Sequence, residues 1–587
     1  MLNKEQLEVV DNDDNILVIA GPGSGKTRVL VHKTAHILQN SGDSFKAVCL
    51  TFSNEASKHM KDELRKLLPA KQMHRLFVGN FHQYGQYLLR NYGHLAGISR
   101  KFTIMNPEQS LEILKESLEF NGLPTSNSQR LIDNISRYRN GVNLPKADDL
   151  GQFSSKFVSI MKSYESLKRE RELVDFDDLI ILPIDLLKQN VHLQSLVRQV
   201  YRYVLVDELQ DTSLLQLELL KTIFDKNTGK ILGVADQDQI LYEWRDARAQ
   251  TIKEFETAFD AKIKHLVLNY RSPQEILDVA DTLIKHNLDR FDRKLVSKVK
   301  DRRGEVALHS AQYPENEADF VVNNIKDSIS NGRRYGDHVV LFRDSWMAKD
   351  VTDTLSRESI PYVHIGDRRI ANSAITSFLK ASIYLASGSV DGERQLINSL
   401  RKLNENIDVD LGDGKELVQI ISEIARFSPL RFVEALLGET GLRDSVRDSD
   451  FSKHLDIAVR VVEEALDEGA REYGQLSDVL SMEWERLEAK VLREEDSVKL
   501  MTIHKSKGLE FPVVYVIRVE EGNIPRIRKD SIPNIPEERR LLYVAITRSM
   551  EKVIMSHSKY KYNNNDRNFS SQSSFLDEIS RCNLETI

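Results

Sequence analysis

Residues 18–27 read VIAGPGSGKT, and no other stretch of the chain narrows its fold as much. A loop of the form G-x-x-x-x-G-K-[ST] works when an apolar strand runs into a tight turn whose backbone N–H groups converge on phosphate oxygens, with a helix N-terminus adding further donors. The run NILVIA supplies the strand, and Gly21, Gly23, Ser24 and Gly25 supply the turn. Lys26 is then placed to reach β- and γ-phosphates, and the Thr27 hydroxyl to ligate Mg²⁺. Ala20 stands where the pattern has its first glycine, which requires only that the last strand residue keep a negative φ.

A strand–loop–helix of this kind needs a parallel sheet around it, and the chain is long enough to build one. Its 587 residues, 41% apolar and 29% charged, suit a globular protein of about four domains. No apolar run approaches the ~18 residues of a membrane span, and no early stretch reads as a leader, so the expected location is cytoplasmic and no membrane contact is implied. The formal net charge of −7 argues against an overall basic nucleic-acid coat. The local basic clusters KLLPAKQMHR, KRER and PRIRK read as solvated faces. Cys49 and Cys582 have no metal spacing, and Cys49, inside AVCLTF, packs as a small hydrophobe.

Short β-like runs alternate with amphipathic stretches, which favours an α/β architecture with parallel sheets. The buried-strand candidates are AVCLTF, RYVLVDE, KILGVAD, IKHLVLNY, DHVVLF, SVKLMTIH and FPVVYVI. Residues 89–194 and 372–493 instead carry helical spacing with few strand signals, and read as helical insertions. The polar tail YKYNNNDRNFSSQSS reads as a loop.

A second chemical motif is YVLVDELQDTSLLQ. A strand closing on two carboxylates suits a nucleotide site: Asp207 can hold Mg²⁺, and Glu208 can orient and deprotonate an attacking water.

The ordered strings AGPGSGKTRVLVHK, LTFSNEAS, GNFHQYG, DFDDL, VDELQDTS, ADQDQILYEWRDA, LNYRSP, VKLMTIHKSKGLEFPVVYV and EERRLLYVAITRS resemble the motif set of superfamily-one helicases of the UvrD/Rep/PcrA type. That family also carries alanine where Ala20 stands. The resemblance implies two RecA-like P-loop motor domains with parallel sheets, each carrying a mainly helical insertion. The first motor domain is expected at 1–88 and 195–268 with its insertion at 89–194, and the second at 269–371 and 494–587 with its insertion at 372–493. It implies an ATP- and Mg²⁺-dependent DNA helicase whose partners are single-stranded DNA and duplex junctions, with 3′-to-5′ movement.

Residue by residue, the resemblance gives Gln6 the adenine edge, Arg28 and Tyr270 the two adenine faces, and Glu510 the ribose. It makes Gln239 a γ-phosphate sensor, and Arg271 and Arg548 the arginines that clamp that phosphate. Phe52, Tyr242 and Trp244 fall where the family presents aromatic surfaces to single-stranded DNA, while Asn54, Phe81, His82 and His504 line or couple that groove. Ala235, Ile240 and Asp246 replace the usual glycine, serine and glycine of the third motif, Asn80 stands in place of threonine, and HKSKG replaces HSAKG. A chain of this build is also similar to the helicase subunits of anti-phage systems such as Gabija, which implies a second reading as an ATP-gated, DNA-sensing subunit beside a nuclease.

Overall fold

Strands that are apolar from end to end are stable only when both faces are covered, which is the situation of parallel strands flanked by helices. In the computed structural model all seven strand candidates form strands, distributed over two sheets. The structure describes residues 2–586 apart from 43–44, 141–149, 242–248, 289, 292, 367, 390–391, 407–413, 447–450, 528–532, 564–565, 580–581 and 583. The chain forms two compact units, one of Met1–Val306, Pro525–Glu551 and Ser574–Leu584, the other of Ala307–Ile524, Lys552–Ser573 and Glu585–Ile587.

The first unit contains strands β1 (Ile16–Ala20), β2 (Lys46–Thr51), β3 (Leu76–Asn80), β4 (Tyr201–Val206), β5 (Lys230–Ala235) and β6 (Lys262–Leu266). They pair in the order β3-β2-β4-β5-β1-β6, every pair parallel. All five residues of β1 are buried. Helix α1 (Lys4–Val10) precedes β1, α2 (Lys26–Asn40) follows it, α3 (Asn54–Leu67) follows β2, and α4 (Phe81–Tyr92) follows β3. Each loop leaving a strand toward a helix therefore opens at the carboxyl edge of the sheet, where ligands of such sheets bind. Cys49 lies buried in β2 beside the Thr34 hydroxyl, and burial pushes its thiol up to about 12, so it packs rather than reacts.

The stretch 89–194 is built from helices including Pro107–Phe120, Ser128–Arg139, Phe157–Glu170 and Asp178–Gln189, and much of it closes around Leu114, Leu131, Phe157 and Ile160. Helix Asp178–Gln189 packs so closely on α4 that a Cβ at Gly85 would lie 1.6 Å from the Leu179 carbonyl oxygen. The basic stretches of this unit are not uniformly solvated. Arg75 is buried and donates to the carbonyls of Phe45 and Leu38, and Lys168 is buried among carboxylates, because long cationic side chains bury well when each N–H finds an acceptor.

The second sheet, most of whose residues belong to the second unit, comprises β7 (Glu305–Ala311), β8 (His338–Phe342), β9 (Tyr362–His364), β10 (Val498–Thr502), β11 (Phe511–Val516), β12 (Ser549–Ser558) and β13 (Glu585–Thr586), in the order β9-β10-β8-β11-β12-β7-β13. The pairs β9–β10, β10–β8, β8–β11 and β7–β13 are parallel. Residues 374–493 are helical apart from short connections among the described residues, with a separate apolar core that includes Phe378, Phe432, Leu455 and Trp484. The polar tail departs from the loop expectation. Tyr560–Asn563 and Asp566–Phe569 pair antiparallel, and the Tyr560 and Phe569 rings meet at 6.0 Å, a cross-strand aromatic contact that composition alone concealed. Among the described residues no helix is long and apolar enough to cross a membrane.

Candidate functional site

The loop after β1 follows the geometry its glycines permit. Gly23 and Gly25 adopt φ of 62° and 81°, whereas Ala20 stays outside the left-handed region, as its methyl group requires. Gly25 caps α2 with no side-chain hydrogen bond, so the first N–H groups of the helix point toward the space an anion would take. The Ser24 hydroxyl donates to the Gly21 carbonyl at 2.7 Å, closing the turn.

Two outside elements brace this loop. Gln6 forms a capping box with Asn3 and donates from Nε2 to the Ser24 carbonyl at 3.1 Å. Each end of its amide keeps capacity for one further bond, as reading a base edge demands. From the other side, Tyr270 N–H donates to the Gly23 carbonyl at 2.8 Å, and Asn269 Nδ2 to the Pro22 carbonyl at 2.7 Å. Asn269 Oδ1 in turn accepts the N–H groups of Arg271 and Ser272, both at 2.8 Å. The fit is close: a Cβ on Gly23 would lie 2.7 Å from Arg271 Cβ, and one on Gly21 would lie 2.4 Å from Leu295 Cδ2. Tyr270 is 48% exposed with its hydroxyl accepting from Asn3, and Arg28 is exposed on the first turn of α2.

Lys26 and Thr27 face the carboxylates that close β4. The Thr27 hydroxyl donates to Asp207 Oδ2 at 3.2 Å, and Lys26 Nζ lies 3.3 Å from Glu208 Oε1. Burial, and then the neighbouring Glu208, raise the Asp207 carboxyl to about 7, so its setting favours an added cation over an isolated negative charge. Glu208 sits in the left-handed region at φ 48°, a conformation costing about 1–3 kcal/mol for a residue with a side chain. Gln210 Nε2 holds its carboxylate by donating to Oε2, so the strained residue is oriented by side chains on both flanks.

Gln239 is buried after β5 and donates from Nε2 to Asp236 Oδ2 at 2.7 Å. Asp236 itself lies 3.9 Å from Lys26 Nζ. Arg271 donates from Nη1 to the Thr547 carbonyl at 3.2 Å, and Arg548 is buried with Nε donating to the Val544 carbonyl at 2.9 Å. Burial, then the adjacent Arg271, push the Arg548 guanidinium down to about 9, an environment suited to receiving an anion. The sequence reading had passed over Asp236, Asn269 and Thr547. Asp236 carried the one available signal, an acidic residue ending a buried strand as Asp207 does; the other two act through backbone-level contacts.

The nucleic-acid candidates divide among several places. Phe52 is 39% exposed just beyond β2, and Asn54 begins α3. Phe81 and His82 begin α4 beyond β3, whose Asn80 is in register with Thr51 of β2. Asn80 caps α4 through a capping box with Gln83 and donates to Asn54 Oδ1 at 2.6 Å, so the asparagine at this position fills an N-cap role. Phe81 is buried, and His82 packs edge-to-face on Phe176 with its imidazole pushed down to about 4 by burial. Ala235 and Ile240 are fully buried, so both departures pack into the core. Tyr242, Trp244 and Asp246 lie outside the described residues. Glu510 and His504 belong to the second unit, Glu510 exposed just before β11 and His504 held down to about 3 by burial with Arg343 and Lys507 nearby.

The carboxylates of Glu165, Asp175 and Asp178 approach one another closely enough to suggest a metal centre. That space is already taken by cations: Lys168 Nζ lies 2.7 Å from both aspartates, and Arg139 is 2.8 Å from Asp175 and also pairs with Asp178. Burial draws the Asp175 carboxyl upward, but Lys168 and Arg139 outweigh it and hold the group at about 2.

Residues 2–260 match the family model for the UvrD/REP helicase N-terminal domain. Residues 264–371 and 394–560 match that for the UvrD-like helicase C-terminal domain. The ATP-dependent DNA helicase PcrA of Staphylococcus epidermidis is 28% identical over 95% of this chain and 83% of its own length. Its namesake from Staphylococcus aureus is 28% identical over 100% of this chain and 87% of its own.

Proposed function

The chain belongs to the UvrD/REP helicase family, and on that premise we propose that it is an ATP-dependent DNA helicase moving 3′ to 5′ along single-stranded DNA. The observation that carries the reading is the convergence of Lys26, Thr27, Asp207, Glu208 and Gln239 at the carboxyl edge of one parallel sheet, with Tyr270 and Arg271 docked on the same loop.

In this reading the loop N–H groups and Lys26 bind the phosphates, and Gln6, Arg28 and Tyr270 hold the adenine. Glu208 takes the proton of the attacking water, while Gln239, Arg271 and Arg548 respond to the γ-phosphate and stabilise charge that develops on it. Thr27 and Asp207 would hold Mg²⁺; their oxygens lie 3.2 Å apart, and the raised Asp207 carboxyl fits a site built for a cation. The ion, when bound, neutralises charge on the β- and γ-oxygens.

Two motor regions, at 1–88 with 195–268 and at 269–371 with 494–587, and helical insertions at 89–194 and 372–493, are part of the proposal. It is supported by the two sheets and by the separate apolar cores within the helical stretches. Duplex unwinding in the cytoplasm is its expected use.

The test is steady-state ATP hydrolysis with and without single-stranded DNA, with Lys26→Ala as the blank. Stimulation that weakens as salt rises is expected, because phosphate contacts release counterions. ATP binding without turnover on any nucleic acid would overturn the reading. Trp244→Ala should weaken single-stranded DNA binding by about 1–3 kcal/mol in a fluorescence anisotropy titration; unchanged affinity would return Trp244 to a packing role.

A second reading, an ATP-gated DNA-sensing subunit beside a nuclease in anti-phage defence, draws on the altered third motif, where Ala235 and Ile240 are wholly buried. A native pulldown that recovers a nuclease, with turnover only in the complex, would favour it; robust unwinding by the isolated chain would count against it.

A further inference from the structure

Asp236 is shared by groups with different tasks. Its Oδ2 accepts from Gln239 at 2.7 Å and lies 3.9 Å from Lys26 Nζ, while its Oδ1 pairs with Arg293 Nη2. Arg293 also reaches Asp238 at 3.0 Å, and Arg290 grips Asp238 with Nη2 at 2.8 Å and Nε at 3.1 Å. Between these two arginines, the Phe291 carbonyl accepts from Gln237 Nε2 at 3.0 Å. A short segment after helix α5 (Gln274–Ile284) therefore holds nearly the whole turn Asp236–Gln239.

The Arg293 side chain is 1% exposed, and its Nε and Nη1 have no hydrogen-bond partner among the described residues. Burying a guanidinium with two of its three nitrogens unmatched is costly, and an apolar side chain of similar length would fold more cheaply. What the arginine adds is charge next to Asp236. Without it, Lys26 is the cation left within 4 Å of that carboxylate among the described residues, and the attraction would draw Nζ toward Asp236 and away from a bound phosphate.

We propose that Arg293 is a positioning residue for ATP hydrolysis, which neutralises Asp236 so that Lys26 stays available to the phosphates and, with Arg290, fixes the turn that carries Gln239. The inference rests on the helicase reading above. It joins residues matched by the N-terminal family model to residues matched by the C-terminal one, since Asp236 lies in the first and Arg293 in the second.

The experiment compares the full-length wild type with Arg293→Met, Arg293→Lys, Asp236→Asn and the double variant Arg293→Met/Asp236→Asn, reading ATP KM and kcat separately. Arg293→Met should raise ATP KM by about tenfold or more, and Arg293→Lys should recover most of that loss. The double variant should return KM to within about threefold of Asp236→Asn alone, because the carboxylate that captures Lys26 is gone. A purely structural arginine would instead show as a lowered urea midpoint of Arg293→Met, with the ATP KM of the folded protein unchanged. Parental KM in Arg293→Met, or a double variant no better than the single, would overturn the proposal. Absence of turnover in the wild type would instead overturn the helicase reading on which it stands.

Discussion

Glu208→Gln is expected to keep ATP affinity within about threefold of the parent while lowering turnover by about 10²–10⁴-fold, the usual contribution of a positioned general base. The amide preserves the shape of the side chain and its contact with Gln210, but it cannot take a proton from water. Lys26→Ala should behave differently. The ammonium group lies among Glu208, Asp236 and the loop, so its removal takes away both phosphate anchoring and the balance of two carboxylates, and binding should fall together with turnover. Nucleotide binding by a fluorescent ATP analogue, alongside single-turnover hydrolysis, separates the two variants. Parental turnover in Glu208→Gln would show that another group activates the water.

The largest stability effect is expected far from the nucleotide. Lys168 is enclosed by Asp175, Asp178 and Glu165, at 2.7, 2.7 and 3.0 Å. The Tyr164 hydroxyl donates to Asp175 at 3.2 Å, and the two aspartates accept each other's backbone N–H groups. Lys168→Met leaves these carboxylates with Arg139 as their main counter-charge, and removing one partner of a buried ionic group costs about 3–5 kcal/mol. Urea denaturation followed by circular dichroism should show the first unfolding transition displaced by that amount. A shift under about 1 kcal/mol would mean that the network contributes little.

How far the sequence carried this picture depends on what each residue relies on. Strands such as ILVIA and the run FPVVYVI were legible because a short, fully apolar segment bounded by turns has few alternatives in an α/β chain. The Glu305–Ala311 strand was missed, because its alternation of apolar and polar residues is short and its partners are far away in sequence. The KRER run illustrates a different loss. Its first residue reads as one more surface charge until the fold brings Asp175 and Asp178 to it. At the nucleotide loop, the residue types and spacing were enough to nominate Lys26, Thr27, Asp207 and Glu208, since their chemistry depends on local order. Arg293 and Asp236 are 57 positions apart, and only tertiary structure brings them together.

The close approach at Gly21 and Gly23 has a further consequence. Because added methyl groups there would collide with Leu295 and Arg271, the glycines serve as a bearing surface as well as a phosphate cradle. A Gly23→Ala protein would therefore be impaired twice over, in the shape of its anion pocket and in the seating of the arginine segment, even with no nucleotide in solution. A motif usually regarded as the signature of a ligand is here equally the signature of an internal joint, since the segment carrying Asn269, Tyr270 and Arg271 rests on the same loop.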